Sequence, residues 1–95
     1  MPDTELRQRF SLGQTVATPG ALEILAATGL SPLALLMRHQ RGDWGDVPSE
    51  DARENELSVQ KGFRVLSSYS VGSERLWVIT EADRSVTTIL KAEEY

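Results

Sequence analysis

Two short polar clusters, at residues 38–46 and 80–85, hold the side chains of this chain that are best suited to catalysis or binding. The first contains His39, followed by Asp43, Trp44 and Asp46. A histidine titrates near neutral pH, so His39 is a candidate general acid or base. Both clusters fall where a regular element should end, and functional side chains concentrate on loops that a rigid scaffold holds.

The first cluster also has a structural interpretation, which we favour. His39 would lie in the last turn of a helix, where a positive charge suits the helix dipole, and Trp44 would fold back onto the core. No serine, cysteine or second histidine within the cluster completes a nucleophilic set, and the ligands for a metal site are too few. We therefore expect no cofactor, and an enzyme is the less favoured class.

The second cluster places Glu81, Asp83 and Arg84 in a tight turn between two predicted strands. In the structural interpretation, Asp83 and Arg84 pair with each other or cap backbone groups of the turn. In the functional one, the turn projects as a polar knob that contacts a partner or a phosphate, because arginine recognises such groups through two parallel hydrogen bonds.

A third group of charges is an acidic run that starts within the first cluster and continues along a predicted helix. Its members are Asp43, Asp46, Glu50, Asp51, Glu54 and Glu56. Arg53 offsets the run in part. Such a helix face is ordinarily solvated, but a row of carboxylates also imitates the phosphates that a DNA-binding partner recognises.

Length, charge and cysteine content limit the classes of function. A chain of 95 residues predicts one domain, with residues 1–8 flexible. The net charge of -4 argues against direct nucleic-acid binding, which needs a basic surface. The chain has no cysteine, no signal-peptide pattern and no apolar run of membrane-spanning length, so we expect a cytoplasmic protein. The one basic cluster available comprises Arg7, Arg9, Arg38 and Arg41.

Capping signals predict three helices. Thr18 and Ser31 each precede a proline that suits the first helical position, and Gly29 should end the first helix. A third helix, capped by Ser49 and ending at Gly62, has a thin apolar face and should lie largely solvated on the surface. The stripes expected to be buried are Leu22, Leu25 and Ala26 in the first helix and Leu33, Leu36 and Met37 in the second.

Apolar alternation and β-branched runs predict strands at residues 63–71, 76–79 and 86–90. The middle one is apolar on both faces, as in a central strand covered on both sides. Residues 9–17 predict a further strand or hairpin, whose place in the main sheet stays open. The predicted fold is α+β, with two to three helices packed on one face of a small antiparallel sheet that ends in a three-stranded meander.

Three segments resemble a family of short bacterial proteins encoded on plasmids and integrative elements. They are LGQTVATPGAL at residues 12–22, RH with GDWG at residues 38–45, and WVITEADRSVTTIL at residues 77–90, followed by the closing EY. Members of that family are labelled plasmid-related proteins and sometimes type I restriction subunits. The chain departs from the family pattern at Lys91 and Ala92. The resemblance implies a mobile-element setting but supplies no catalytic residue.

These observations favour a small interaction module of a mobile genetic element, one that binds a host protein such as a defence nuclease or another nucleic-acid enzyme. The residues predicted to contact the partner are His39, Asp43, Trp44, Asp46, Glu50, Asp51, Glu54, Glu81, Asp83 and Arg84.

Two alternatives remain open. The order of strand, helices and meander is similar to that of RelE/ParE-like toxins, which suggests a ribonuclease that uses His39, Arg64, Tyr69 and Arg84, although this is an analogy of fold only. A regulatory homodimer is the other alternative, paired through an exposed edge strand at residues 86–90.

Overall fold

The computed structural model describes residues 8–95, so the prediction that residues 1–8 are flexible lies, apart from Gln8, outside the described part of the chain. The elements are, in chain order, β1 (Gln14–Ala17), α1 (Pro19–Thr28), α2 (Pro32–Gln40), α3 (Ser49–Lys61), β2 (Val65–Val71), β3 (Glu74–Thr80), β4 (Val86–Lys91) and a short 3-10 helix (Ala92–Glu94). The predicted α+β class is confirmed, as is the meander formed by β2, β3 and β4.

The first two helices begin at the predicted caps. The Thr18 hydroxyl accepts a hydrogen bond from the Ala21 backbone N–H at 3.1 Å, and the Ser31 hydroxyl accepts one from Leu33 N–H at 3.1 Å. Each cap satisfies a backbone donor that has no partner within its helix. A left-handed Gly29 ends α1, as the sequence predicts.

Helix α3 differs from its prediction only at its start. Pro48, not Ser49, occupies the N-cap position, and no side chain caps the helix there. The predicted surface location is confirmed, because Asn55 and Ser58 are the only residues of α3 that are fully buried. Since both are polar, α3 must be held by hydrogen bonds more than by apolar packing.

The sheet has the strand order β1-β4-β3-β2, and it is mixed and not purely antiparallel. β1 joins it by pairing parallel to β4, with Gln14 opposite Val86 and Ala17 opposite Ile89. The prediction that residues 86–90 form an exposed edge is therefore wrong. β1 covers that side of β4, and a pairing between segments some seventy residues apart leaves no local trace in either one.

One face of the sheet packs against α1 and α2, and the core lies between these two layers. Ala21 and Leu25 of α1 and Leu35 and Leu36 of α2 are its helical members. The predicted stripes are therefore partly wrong. Both helices are short and apolar at several positions, so their period alone does not select the buried face. The predicted stripe residues that stay exposed are Leu22, Ala26, Leu33 and Met37.

The strand side chains that complete this core alternate along the sheet, as the pleat requires. They are Tyr69 and Val71 of β2, Leu76 and Val78 of β3, and Ile89 of β4. Residues between them point to the opposite side of the sheet.

The opposite side, which we call the open face, has no helix layer within residues 8–95. Cross-strand neighbours Trp77 and Leu90 lie on it, and Leu66 and Ile79 form the adjacent pair. Trp77, Leu66 and Leu90 are only half-buried. On this side of β3, Ile79 is buried whereas Trp77 is not, so the prediction that β3 is covered on both sides holds only in part.

Among the described residues, no single helix has the length and apolar character needed to cross a bilayer. The pair of α1 and α2 together has that length and apolar character, but the chain bends by 105° between the two helices.

Candidate functional site

The loop after α2 is held by contacts of the first polar cluster with its own surroundings. The guanidinium of Arg38 donates to the Asp43 carboxylate at 2.7 Å and lies over the Tyr69 ring, 4.4 Å from its centroid. The Tyr69 hydroxyl in turn donates to the Asp43 backbone carbonyl at 2.6 Å. The hydrogen bond from Arg38 lowers the pKa of Asp43 below its ordinary value. Asp43 therefore serves first to hold the loop.

His39 lies in the core, fully shielded from solvent. Its Nδ1 hydrogen-bonds with the Ser67 hydroxyl at 2.6 Å, and its Nε2 with the Thr80 hydroxyl at 2.9 Å. Thr80 continues the network to Thr87 at 2.7 Å. Burial, reinforced by the charge of Arg84, lowers the pKa of His39 to about 3.

Both sequence interpretations of His39 need correction. A neutral imidazole does not supply the positive charge that was expected to answer the helix dipole. A ring with both nitrogens bonded inside the core has no open position for a substrate or a partner in this structure. The role that the contacts support is a hydrogen-bonded link between α2 and two strands.

Trp44 is also buried, as the structural interpretation predicts. Its indole N–H donates to the Glu56 carboxylate at 3.1 Å, and Arg9 pairs with the same carboxylate at 2.7 Å. The Trp44 and Phe10 rings stack with centroids 6.3 Å apart. Trp44 therefore attaches α3 to the body of the protein and does not present its ring to a partner.

The second polar cluster caps backbone groups, as its structural interpretation predicts. The Arg84 guanidinium donates to the carbonyls of Phe63 at 2.7 Å and Ser58 at 2.9 Å. The Asp83 carboxylate accepts from Ser85 and not from Arg84. Arg84 is thus committed to the end of α3, whereas Asp83 is exposed and Glu81 half-exposed.

The acidic side of α3 lines one wall of a groove, which we call the α3–β2 groove. It consists of two adjoining depressions, of about 580 and 200 Å³, that share Asp51 and Leu66. Trp77 forms part of the floor at one end, and Arg64 lies at the other. The α3 carboxylates of this wall are Glu50, Asp51 and Glu54. Asp46 belongs to the loop before α3 and lines the Trp77 end, where its carboxylate accepts a hydrogen bond from the Ser70 hydroxyl at 2.7 Å.

The structure divides the ten predicted contact residues into three groups. Asp46, Glu50, Asp51 and Glu54 come together along the α3–β2 groove. His39, Asp43 and Trp44 support the scaffold. The group of Glu81, Asp83 and Arg84 lies at the other end of α3, where Arg84 bonds to Ser58.

The sequence reasoning missed the open-face residues Leu66, Arg75, Trp77 and Tyr95. The rings of Trp77 and Tyr95 pack with centroids 5.2 Å apart, and Tyr95 remains 62% exposed. One signal in the sequence was the alternation of side chains along β3 between the two faces of the sheet. Trp77 alternates with the core residues Leu76 and Val78, so it points away from the helices.

The four residues of the ribonuclease alternative share no accessible site in the described structure. His39 and Tyr69 are buried, and Arg84 is bound to carbonyls. Arg64 lies on the other side of the sheet, with its guanidinium 5.7 Å from the centroid of Tyr95. No cluster of three or more histidine, aspartate or glutamate side chains suited to a metal ion occurs within residues 8–95.

No protein-family model, curated protein or solved structure matches this chain. The resemblance to plasmid-encoded proteins therefore stays a prediction from the sequence. A function for this chain is inferred from the geometry and charge of its surface.

Proposed function

We propose that this protein is a small protein-interaction module that docks a partner on the open face of its sheet. One observation carries the proposal. α1 and α2 cover one side of the sheet, whereas Trp77, Leu90 and Tyr95 stay accessible on the other side within the described chain. Uncovered apolar patches mark interaction sites, and aromatic side chains dominate the energetics of such sites.

The charge beside the open face favours a partner that itself handles nucleic acid. The α3 carboxylates Glu50, Asp51 and Glu54 form a negative row at the border of the face. A surface evolved to bind phosphates is attracted by such a row. With the resemblance to plasmid-encoded proteins, this supports a cytoplasmic inhibitor or accessory of a mobile element that acts on a host nucleic-acid or defence enzyme.

The test is capture of the partner from lysates of a bacterial host, with quantitative mass spectrometry of the bound proteins. Trp77→Lys places a charge in the centre of the open face and should abolish stoichiometric capture. Leu33→Lys is the matched control, because it introduces the same lysine at an apolar position that is 60% exposed on the helix layer. Circular dichroism and the melting temperature show whether both variants keep the fold.

Capture that survives Trp77→Lys but is lost in Leu33→Lys would move the docking surface to the helix layer and contradict the proposal. A wild-type dimer that Trp77→Lys converts into a monomer would identify the occupant as a second copy. That result would favour the regulatory homodimer, formed through a sheet face and not through residues 86–90.

A further inference from the structure

The outer edge of β2, which borders the α3–β2 groove, is already satisfied. Asn55 bonds to both backbone groups of Leu66, Ser68 N–H donates to the Trp44 carbonyl at 3.0 Å, and Ser68 C=O accepts from Asp46 N–H at 2.6 Å. An arriving segment cannot extend the sheet at these positions. Whatever occupies the groove must be recognised through side chains.

The groove has an apolar part of its floor at the Asp46 end, formed by Leu66 and Trp77. Leu66 takes part in both depressions, and the half-buried Trp77 ring lies in the one at the Asp46 end. An aliphatic side chain placed there would remove apolar surface from water on both partners. The indole face also attracts a guanidinium or an ammonium group through its π electrons.

The helix wall of the groove carries negative charge that no ion pair within residues 8–95 neutralises. Glu50, Asp51 and Glu54 form no ion pair with any other described residue. Two exposed arginines of the sheet side also line the groove, where Arg75 donates to the Ser68 hydroxyl at 3.2 Å and Arg64 lies over the Tyr95 ring. Neither arginine forms an ion pair with the three carboxylates, so their negative charge is available to a bound segment.

We infer that the α3–β2 groove receives a basic, partly apolar peptide segment of the partner protein, with lysine or arginine toward α3 and an aliphatic or aromatic side chain on Leu66 and Trp77. This inference rests on the proposed function, since it specifies the part of the partner that docks. Charge complementarity selects the occupant, because an acidic segment would meet the carboxylates of α3 and a purely polar one would leave the apolar floor uncovered.

The experiment is selection of peptides from a random dodecamer display library on the immobilised full-length protein. The best binders are then measured by fluorescence anisotropy. We expect enrichment of sequences that combine lysine or arginine with an aliphatic or aromatic residue. Their affinity should fall at least tenfold in Asp51→Lys/Glu54→Lys.

The matched control is Glu23→Lys/Glu74→Lys, which changes the net charge equally at exposed positions outside the groove. Its affinity should stay within about twofold of the wild type, because salt screens exposed charges that lie far from the bound segment. Equal losses in the two double variants would show attraction to net charge alone and would overturn the inference. Acidic or uncharged selected peptides, or no enrichment at all, would overturn it too.

Failure of this inference is distinguishable from failure of the proposed function. Suppose that Trp77→Lys abolishes capture of the partner but Asp51→Lys/Glu54→Lys leaves it unchanged. The open face would then stay the docking surface, and the inference of a basic segment would be overturned. If the Trp77→Lys variant captures the partner as well as the wild type does, both the proposed docking surface and the basic segment are overturned.

Discussion

Asn55 of α3 hydrogen-bonds to both backbone groups of Leu66 in β2. Its side-chain N–H donates to the Leu66 carbonyl at 2.7 Å, and its side-chain carbonyl accepts from the Leu66 N–H at 3.1 Å. A single amide side chain thus takes the place of a neighbouring strand at this position. The pair sets α3 beside the edge of the sheet and creates the groove between them.

Asn55→Ala should destabilise the fold by about 2 kcal/mol, because it leaves a backbone N–H and a C=O of Leu66 without their partners. Urea unfolding measures the change. The variant should also aggregate more readily than the wild type, since it uncovers part of an edge strand. Gln60→Ala, an exposed change on the same helix, serves as the control and should be nearly neutral. Equal stabilities of the two variants would contradict the assigned role.

His39 should make the protein sensitive to mild acid. The folded state keeps the imidazole neutral, with a pKa of about 3, whereas the unfolded chain protonates it near its ordinary value of 6.5. Protons therefore bind preferentially to the unfolded state. The stability contributed by neutral His39 is complete above the unfolded pKa and is lost as pH falls below it toward the folded pKa, at roughly 1.4 kcal/mol per pH unit.

Urea unfolding between about pH 7.5 and pH 5 should show a loss of roughly 2 kcal/mol in the wild type. His39 is the sole histidine, and most carboxyl groups titrate at lower pH, so this window reports on it. His39→Gln should flatten the dependence in that window, whatever its effect on absolute stability. A wild-type profile that is already flat would show that His39 is accessible to protons.

Gly45→Ala should cost more stability than Gly62→Ala. Both glycines have a left-handed backbone, with φ of 74° and 82°. A Cβ at Gly45 would run into the Ser68 carbonyl and the Tyr69 ring, whereas one at Gly62 meets open space. We expect about 1 kcal/mol for Gly62→Ala and several kcal/mol for Gly45→Ala, in thermal or urea unfolding. Similar losses would contradict the close approach at Ser68.

Arg84→Lys should destabilise the junction between α3 and the β3–β4 turn by about 1–3 kcal/mol. The guanidinium reaches the Ser58 and Phe63 carbonyls together, which a single ammonium group does not reproduce. Arg53→Lys, an exposed change on α3, is the control. Hydrogen exchange localises the effect to the amides of the last turn of α3. Unaltered exchange there would refute the capping role.

Local signals were sufficient for the elements of the fold. Thr18 and Ser31 cap α1 and α2 because short-range hydrogen bonds decide helix starts. The meander was also predictable, since its strands are joined by short turns. The parallel pairing of β1 with β4 was not, because both strands look like ordinary edge or inner strands until their long-range partners are known.

The candidate site was predicted only in part, for a similar reason. The acidic residues of α3 were evident as a run of like charge. Their proximity to Trp77 depends on Asn55, which in the sequence is one polar residue among many on a polar helix. The burial of His39 depends on hydroxyls of Ser67 and Thr80, some thirty to forty residues away in the chain.

The most direct test of the open face as a docking surface is site-specific photo-crosslinking in living host cells. Benzoylphenylalanine is introduced at Trp77 in one variant and at Leu33 in another, which places the same probe on opposite sides of the molecule. We expect a discrete heteromeric adduct from the Trp77 position and none from the Leu33 position. An adduct from Leu33 alone, or from neither position, would contradict docking on the open face.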